Sequence, residues 1–362
     1  MKNTVGILML ALSLGAAALA QKPNITNARV QESSAAHGLK ASVDSIFAGQ
    51  TGPLWVGYRI PAAAKDRMMC CWDSVDQFGK EKNCCAGCRM DSEKGGNVMG
   101  ADSECSPPEP LPYAFVFLRA ESKQITKVRV FSAGCPLDFA GLPFYWLNDV
   151  RPEQSVELLG ALAQFANGDG SYKKDLSHQA VMAIAMHDVP AADQALEKLI
   201  QPNQPVSLRG NVAFWLGVER GRTGLQLLRK YAKDDQDDRF REKITFAISQ
   251  SKEPDALKDL IGMARNDSSP RVRGQAIFWL AQIGGRRSAQ QITSAIENDP
   301  DTQVKKKAVF ALSQLHDGEG VPLLINVARS NRNAAVRKQA IFWLGQSHDP
   351  RALDFLEEIL TK

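Results

Sequence analysis

VRGQAIFWLA at 272–281 and VRKQAIFWLG at 336–345 are nearly the same ten residues. Four more stretches fall in step with them: LSHQAVMAIA at 176, LRGNVAFWLG at 208, FREKITFAIS at 240 and VKKKAVFALS at 304. Each start lies 32 residues after the one before, without insertion. Three columns stay apolar throughout. The first holds Leu176, Leu208, Phe240, Val272, Val304 and Val336; the next, eight residues on, Ile184, Leu216, Ile248, Leu280, Leu312 and Leu344. Twenty residues on come Leu196, Leu228, Leu260, Ile292, Leu324 and Leu356. A fixed period of this length marks a supersecondary unit repeated along the chain. Asp237, Ser269, Asp301 and Asn333 share a column of good N-caps, and Pro270 sits at a first helical position. Pro190, Pro254, Gly284-Gly285, Gly318 and Asp349-Pro350 mark the turn to a second helix. First helices such as AIFWLA are apolar nearly all round, so several neighbours must cover each of them. The expectation is a mostly α chain whose C-terminal part is an α-solenoid of about six helix pairs.

The motif Val336-Arg337-Lys338-Gln339-Ala340-Ile341-Phe342-Trp343-Leu344, followed by Asp349-Pro350-Arg351-Ala352-Leu353, resembles the short HEAT-like repeats named after the phycobilisome lyases. The resemblance spans about residues 173–362 and implies an armadillo-like stack; the tetratricopeptide and ankyrin signatures are missing. It also implies a route to enzyme activity. Deoxyhypusine hydroxylases, which are HEAT-like, bind iron through repeated His-Glu pairs. This chain has no His-Glu pair; it has His187-Asp188, His316-Asp317 and His348-Asp349. These fall in the inter-helix turn, where Asp is expected to cap the second helix. Pairs one repeat apart stand roughly 8–10 Å from each other, too far to share an ion. No metal site and no cofactor are expected.

Ahead of the repeats, residues 1–20 read as a signal peptide: Lys2, an apolar run over 5–19, and Ala18-Leu19-Ala20 as the cleavage site. The run is shorter than the roughly 20 residues a bilayer needs. An exported protein, periplasmic or extracellular, with no membrane span after cleavage is expected. Export gives the cysteines their meaning. All seven (Cys70, Cys71, Cys84, Cys85, Cys88, Cys105 and Cys135) cluster within residues 70–135. They read as a disulfide framework for a loop-rich domain over 21–150, with one thiol left over. Cys85-Ala-Gly-Cys88 carries two competing readings, a redox pair and half a metal site. Strands are expected at 54–60, 113–120 and 125–131, with a hairpin loop at 121–124. Residues 21–50 read as a poorly ordered lead, and a helix should run from about 153 to 165, opened by Pro152. The boundary between the two domains falls near residue 150, leaving 151–362 to the solenoid.

The 362 residues carry 44 Lys+Arg against 40 Asp+Glu, a net charge of +4, with 44% apolar residues. Whole-chain disorder is excluded, and so small an excess of positive charge argues against nucleic acid. Arg209, Arg241, Arg273, Lys305 and Arg337 form a basic column six residues after Asn203, Asp235, Asp267, Asp299 and Asn331. The pair of columns reads as an inter-repeat ladder of hydrogen bonds and ion pairs; a binding stripe is the other reading. Trp215, Trp279 and Trp343 should pack in the core. Phe214, Phe246, Phe278, Phe310 and Phe342 should face a neighbouring unit or solvent. No catalytic cluster stands out. A polar stripe on the second helices, basic at Lys230, Lys233, Lys258 and Arg265, is expected to line an inner surface and to steer an acidic protein partner. The chain therefore reads as a non-catalytic scaffold for protein partners. The alternative is an oxidoreductase or lyase using Cys85-x-x-Cys88 or a bound metal.

Overall fold

The computed structural model describes residues 22–63, 88–91, 111–165 and 171–361. The signal-peptide segment and Cys70, Cys71, Cys84, Cys85 and Cys105 lie outside them.

The N-terminal part is built on a five-stranded mixed sheet, made of β2 (Arg29–Ser34), β3 (Leu54–Pro61), β5 (Tyr113–Glu121), β6 (Gln124–Ser132) and β8 (Pro143–Asn148). Their order across the sheet is β2-β8-β3-β5-β6. Strands β2, β8 and β3 run parallel, and β3-β5-β6 is an antiparallel meander. Side chains alternate cleanly. Leu54, Val56, Tyr58, Ile60, Val116 and Val128 face the helices, while Trp55, Phe115, Phe117, Phe131 and Phe144 face a second, aromatic core. That second core is closed by a three-stranded sheet of β1 (Asn24–Thr26), β4 (Cys88–Arg89) and β7 (Pro136–Asp138). The three expected strands are present. The β5–β6 loop is tighter than expected: only Ser122 and Lys123 turn, both with positive φ (51° and 62°), the twist a two-residue hairpin favours.

The expected disordered lead is instead ordered. Residues 24–34 form β1 and β2, and Leu39–Ala48 forms α1, which buries Leu39, Val43 and Phe47 against the sheet. Nothing local announces β2, whose six residues are all exposed; it exists because β8 offers it a parallel edge.

Helix α2 (Pro152–Phe165) then leads into six helix pairs. The first helices are α3 (Ser171–Ala185), α5 (Val206–Glu219), α7 (Asp238–Ser249), α9 (Pro270–Gly284), α11 (Thr302–Ser313) and α13 (Ala334–Gly345). The second helices are α4 (Pro190–Leu199), α6 (Gly221–Asp234), α8 (Ala256–Asn266), α10 (Ala289–Asn298), α12 (Gly320–Ser330) and α14 (Pro350–Leu360). The first two apolar columns are buried in every unit; the third is buried through Leu324, and Leu356 in α14 is half-buried.

Sheet and stack are continuous. The Val128 N–H donates to the Gln179 side chain at 2.8 Å, and Ala62 pairs with His187 beyond the end of β3. One apolar core runs from Leu39 to Phe355.

Candidate functional site

The two rows of helices are packed differently. Along the stack α5, α7, α9, α11 and α13 lie against one another at every step, whereas α4, α6, α8, α10, α12 and α14 barely touch their own kind. In a curved stack the crowded row is the inner one. First helices therefore line the inner side, not the second helices as their polar stripe suggested. Gly217 makes the approach possible: a Cβ there would sit 2.0 Å from the Ala247 carbonyl oxygen.

Beneath this row the basic column does the joining. Arg241 grips Asp267 with two hydrogen bonds of 2.9 Å, and Arg273 grips Asp299 at 2.7 and 3.0 Å. Each also donates to a main-chain carbonyl six residues back, of Asp235 and Asp267. Arg209 pairs with Asp235, and its guanidinium lies 3.7 Å from the Phe240 ring centre. All six of these side chains are buried, and the carboxylates of Asp267 and Asp299 hold the Arg241 and Arg273 guanidinium groups in their charged form. The ladder reading stands. It weakens at the end: Lys305 turns to the Glu297 carbonyl, and Arg337 holds only the Asn331 and Arg332 carbonyls.

On the inner side the aromatic columns form a second ladder. Phe214 stacks on Phe246 (5.6 Å, 18°) and Phe246 meets Trp279 (4.8 Å). Phe278 stacks on Phe310 (6.1 Å, 6°), and Phe310 meets Trp343 (4.8 Å). Trp215 is buried, but Trp279 and Trp343 are only partly so, which corrects their assignment to the core. Phe246 and Phe342 are 36% and 53% exposed. Between α5, α7 and α9 the ladder floors a groove of about 640 Å³, rimmed by Arg239, Glu242, Lys243 and Arg271.

The four cations expected to bind a partner sit on the outer row. Lys230 reaches Glu197 at 3.4 Å, and Arg265 is exposed. Lys233 and Lys258 line a cavity of about 600 Å³ between α6 and α8, together with Arg229 and the carboxylates of Asp235, Asp259 and Asp267.

The three His-Asp pairs diverge. Asp349 caps α14 as expected, and Arg351 holds its carboxyl down at about 2. His316 opens a single 3₁₀ turn, and the Asp317 side chain lies outside the described residues. In the first pair Val189, not Asp188, is the N-cap of α4. His187 is wholly buried at the junction with the sheet. Its Nδ1–H donates to the Ala183 carbonyl (2.7 Å), so Nε2 accepts from Ser155 Oγ (2.9 Å), which in turn accepts from the Tyr58 hydroxyl (2.8 Å). Burial lowers the His187 pKa to about 4 and raises that of Tyr58. The trio is sealed from solvent and links β3, α2 and α3. No sequence signal set this histidine apart from the other two.

Cys88 and Cys135, the two described cysteines, are 1% exposed and disulfide-bonded. Cys88 therefore presents no accessible sulfur to an incoming thiol. Among the described residues no helix is long and apolar enough to cross a membrane.

A family model of HEAT repeats matches the chain over residues 201–281, 225–312 and 289–362. No curated protein matches it. Among solved structures it is similar to human deoxyhypusine hydroxylase in complex with glycerol, at 17% identity and a TM-score of 0.30, covering 57% of this chain and 89% of that one. It is also similar to the complex of CpcE and CpcF of phycocyanin lyase from a Nostoc species (21%, TM-score 0.31, 55% and 77%). YibA of Escherichia coli is a third (16%, TM-score 0.31, 59% and 82%). The family model thus marks residues 201–362 as HEAT repeats.

Proposed function

We propose that this HEAT-repeat chain is an exported, non-catalytic scaffold that binds protein partners along its helical stack. The observation that carries the reading is the row of first helices, which presents an unbroken aromatic ladder left partly uncovered by the fold itself. Repeat stacks offer extended surfaces of this kind, and monomeric proteins leave large apolar side chains in contiguous view only sparingly. The buried, disulfide-bonded Cys88 and Cys135 support an oxidising compartment, in keeping with the apolar leader over residues 5–19. The basic group Lys230, Lys233, Lys258 and Arg265 is a second surface, suited to steering an acidic partner toward the stack.

The test is site-specific photocrosslinking of the full chain in its native compartment. A benzophenone side chain at Gln282 reports on the first-helix row and one at Lys233 on the second. Discrete protein adducts from either row support the scaffold; absence of adducts from both rejects it. Reversing Lys230, Lys233, Lys258 and Arg265 to Glu should slow association and flatten its salt dependence with little change in melting temperature. An unchanged rate across salt concentrations removes that group from the binding surface.

A further inference from the structure

The aromatic ladder repeats every two units rather than every one. Gly210, Phe214, Lys243, Phe246 and Trp279 recur 64 residues later as Gly274, Phe278, Lys307, Phe310 and Trp343. The intervening units depart from the pattern, with Glu242 and Lys306 in the glycine column and Ala247 and Ala311 in the tryptophan column. The two sets match in three dimensions. The stacked phenylalanine pairs are 5.6 and 6.1 Å apart, at 18° and 6°; the Phe–Trp contacts are both 4.8 Å, at 34° and 41°. In each set the lysine stem lies across the glycine of the preceding first helix. A Cβ at Gly210 would be 2.5 Å from Lys243 Cδ, and one at Gly274 would be 2.6 Å from Lys307 Cδ. Both lysines are exposed. In both sets the tryptophan N–H is shielded and without a hydrogen-bond partner.

We propose that these are two copies of one subsite, and that together they hold an extended acidic segment of a partner protein whose apolar anchors stand about six residues apart. The proposal rests on the scaffold reading and names the partner's chemistry. Three observations converge on it. The floor is aromatic and partly uncovered, so it takes an apolar side chain. The rim is net basic. In the first copy Arg271 pairs with Glu242 at 3.4 Å and Arg239 with Asp237 at 3.2 Å, which leaves the exposed Lys243 in excess. In the second copy the exposed Lys307 lies across Gly274, while Lys306 stands in the column of Glu242. Opposite charge on the visitor is what such a rim selects. The spacing supplies the length. Neighbouring packed helices stand about 8–10 Å apart, so two steps set the copies roughly 16–20 Å apart. An extended chain rising about 3.3 Å per residue covers that distance in five or six residues. Joining two weak sites through one ligand raises the effective concentration at the second. A nucleic acid fits less well: it carries a phosphate about every 3.4 Å along a strand, and one uncompensated lysine per copy is too sparse to match it.

The experiment uses the full chain and fluorescein-labelled synthetic peptides of Asp, Ser and Gly, read by anisotropy. One peptide carries two Phe six residues apart and a second carries them three apart. A third replaces every Asp by Lys, and an oligothymidylate of similar length completes the set. The six-apart acidic peptide should bind at least about tenfold tighter than each of the others, since it alone reaches both copies with the right charge. Lys243→Glu and Lys307→Glu should each weaken it, and the double variant should bring it to the level of the three-apart peptide, with the melting temperature unchanged. Equal affinity for the two spacings, tighter binding of the Lys peptide or the oligonucleotide, or indifference to the double variant overturns the proposal. Failure here with protein adducts still forming at Gln282 or Lys233 rejects the subsites alone; failure of both rejects the scaffold too.

Discussion

Arg273 ties three places together with one side chain: both oxygens of Asp299 ahead, and the Asp267 and Ser268 carbonyls behind. Removing it would leave a buried carboxylate without its partner. Arg273→Ala is therefore expected to cost about 3–5 kcal/mol in urea unfolding. Arg329→Ala, at the exposed pair with Glu358, should cost no more than about 1 kcal/mol. A gap of less than 1 kcal/mol between the two would mean that the buried ladder contributes no more than surface charge. Leu280 is wholly buried in its column, so Leu280→Ala should cost about 2–5 kcal/mol; an unchanged melting temperature would displace the repeat register. Both positions were legible in the sequence, because a 32-residue period lines up five examples of the basic column and six of the apolar one. The aromatic residues were legible only in part. Trp343 looks like Trp215 in sequence, yet the first is partly uncovered and the second buried, since exposure depends on which residue the next helix brings over it.

Helix starts show where local chemistry is enough. Asp237, Asp301 and Asn333 each accept main-chain hydrogen bonds at the head of their helices, as their column implied. Ser269, in the same column, gives its hydroxyl to Asp238 instead and leaves the helix to Pro270. Asp301→Ala should then cost about 1 kcal/mol and Ser269→Ala less, because only the first removes a cap; equal losses in thermal unfolding would contradict this. The strands divide in the same way. Strands β3, β5 and β6 could be read because they are long, β-branched and joined or flanked by local turns. Strands β1, β2, β7 and β8 could not, since each is held by a partner far away in the chain, Arg29 by Pro143 and Asn24 by Pro136. Pro143 is tolerated in β8 because it is the first residue of the strand.

At the scale of the whole molecule, the sheet and the stack meet over His187, and acid should loosen that junction. Its folded pKa of about 4 lies below the usual 6.5, so above pH 6.5 both states are neutral and its contribution is complete. As pH falls from 6.5 toward 4 only the unfolded chain takes up the proton, and up to roughly 3 kcal/mol is lost. Urea midpoints between pH 7.5 and 5 should fall in the native chain and stay flatter in His187→Gln; parallel slopes would rule the histidine out. The cysteines are a second molecular property. Intact mass before and after alkylation without reductant should show three disulfides and one thiol, with Cys88 and Cys135 unmodified; five or more free thiols would exclude the framework. The unequal packing of the two helix rows has a mechanical outcome. In a bent beam, length is preserved along the stiff fibre and changes on the compliant one. The first-helix row is the stiff fibre here, its backbones in contact at Gly217 and its rings stacked from unit to unit. The second-helix row has little packing to lose when neighbours part. Flexing this molecule therefore opens and closes its back like a fan, while the rungs along its inner edge keep their pitch.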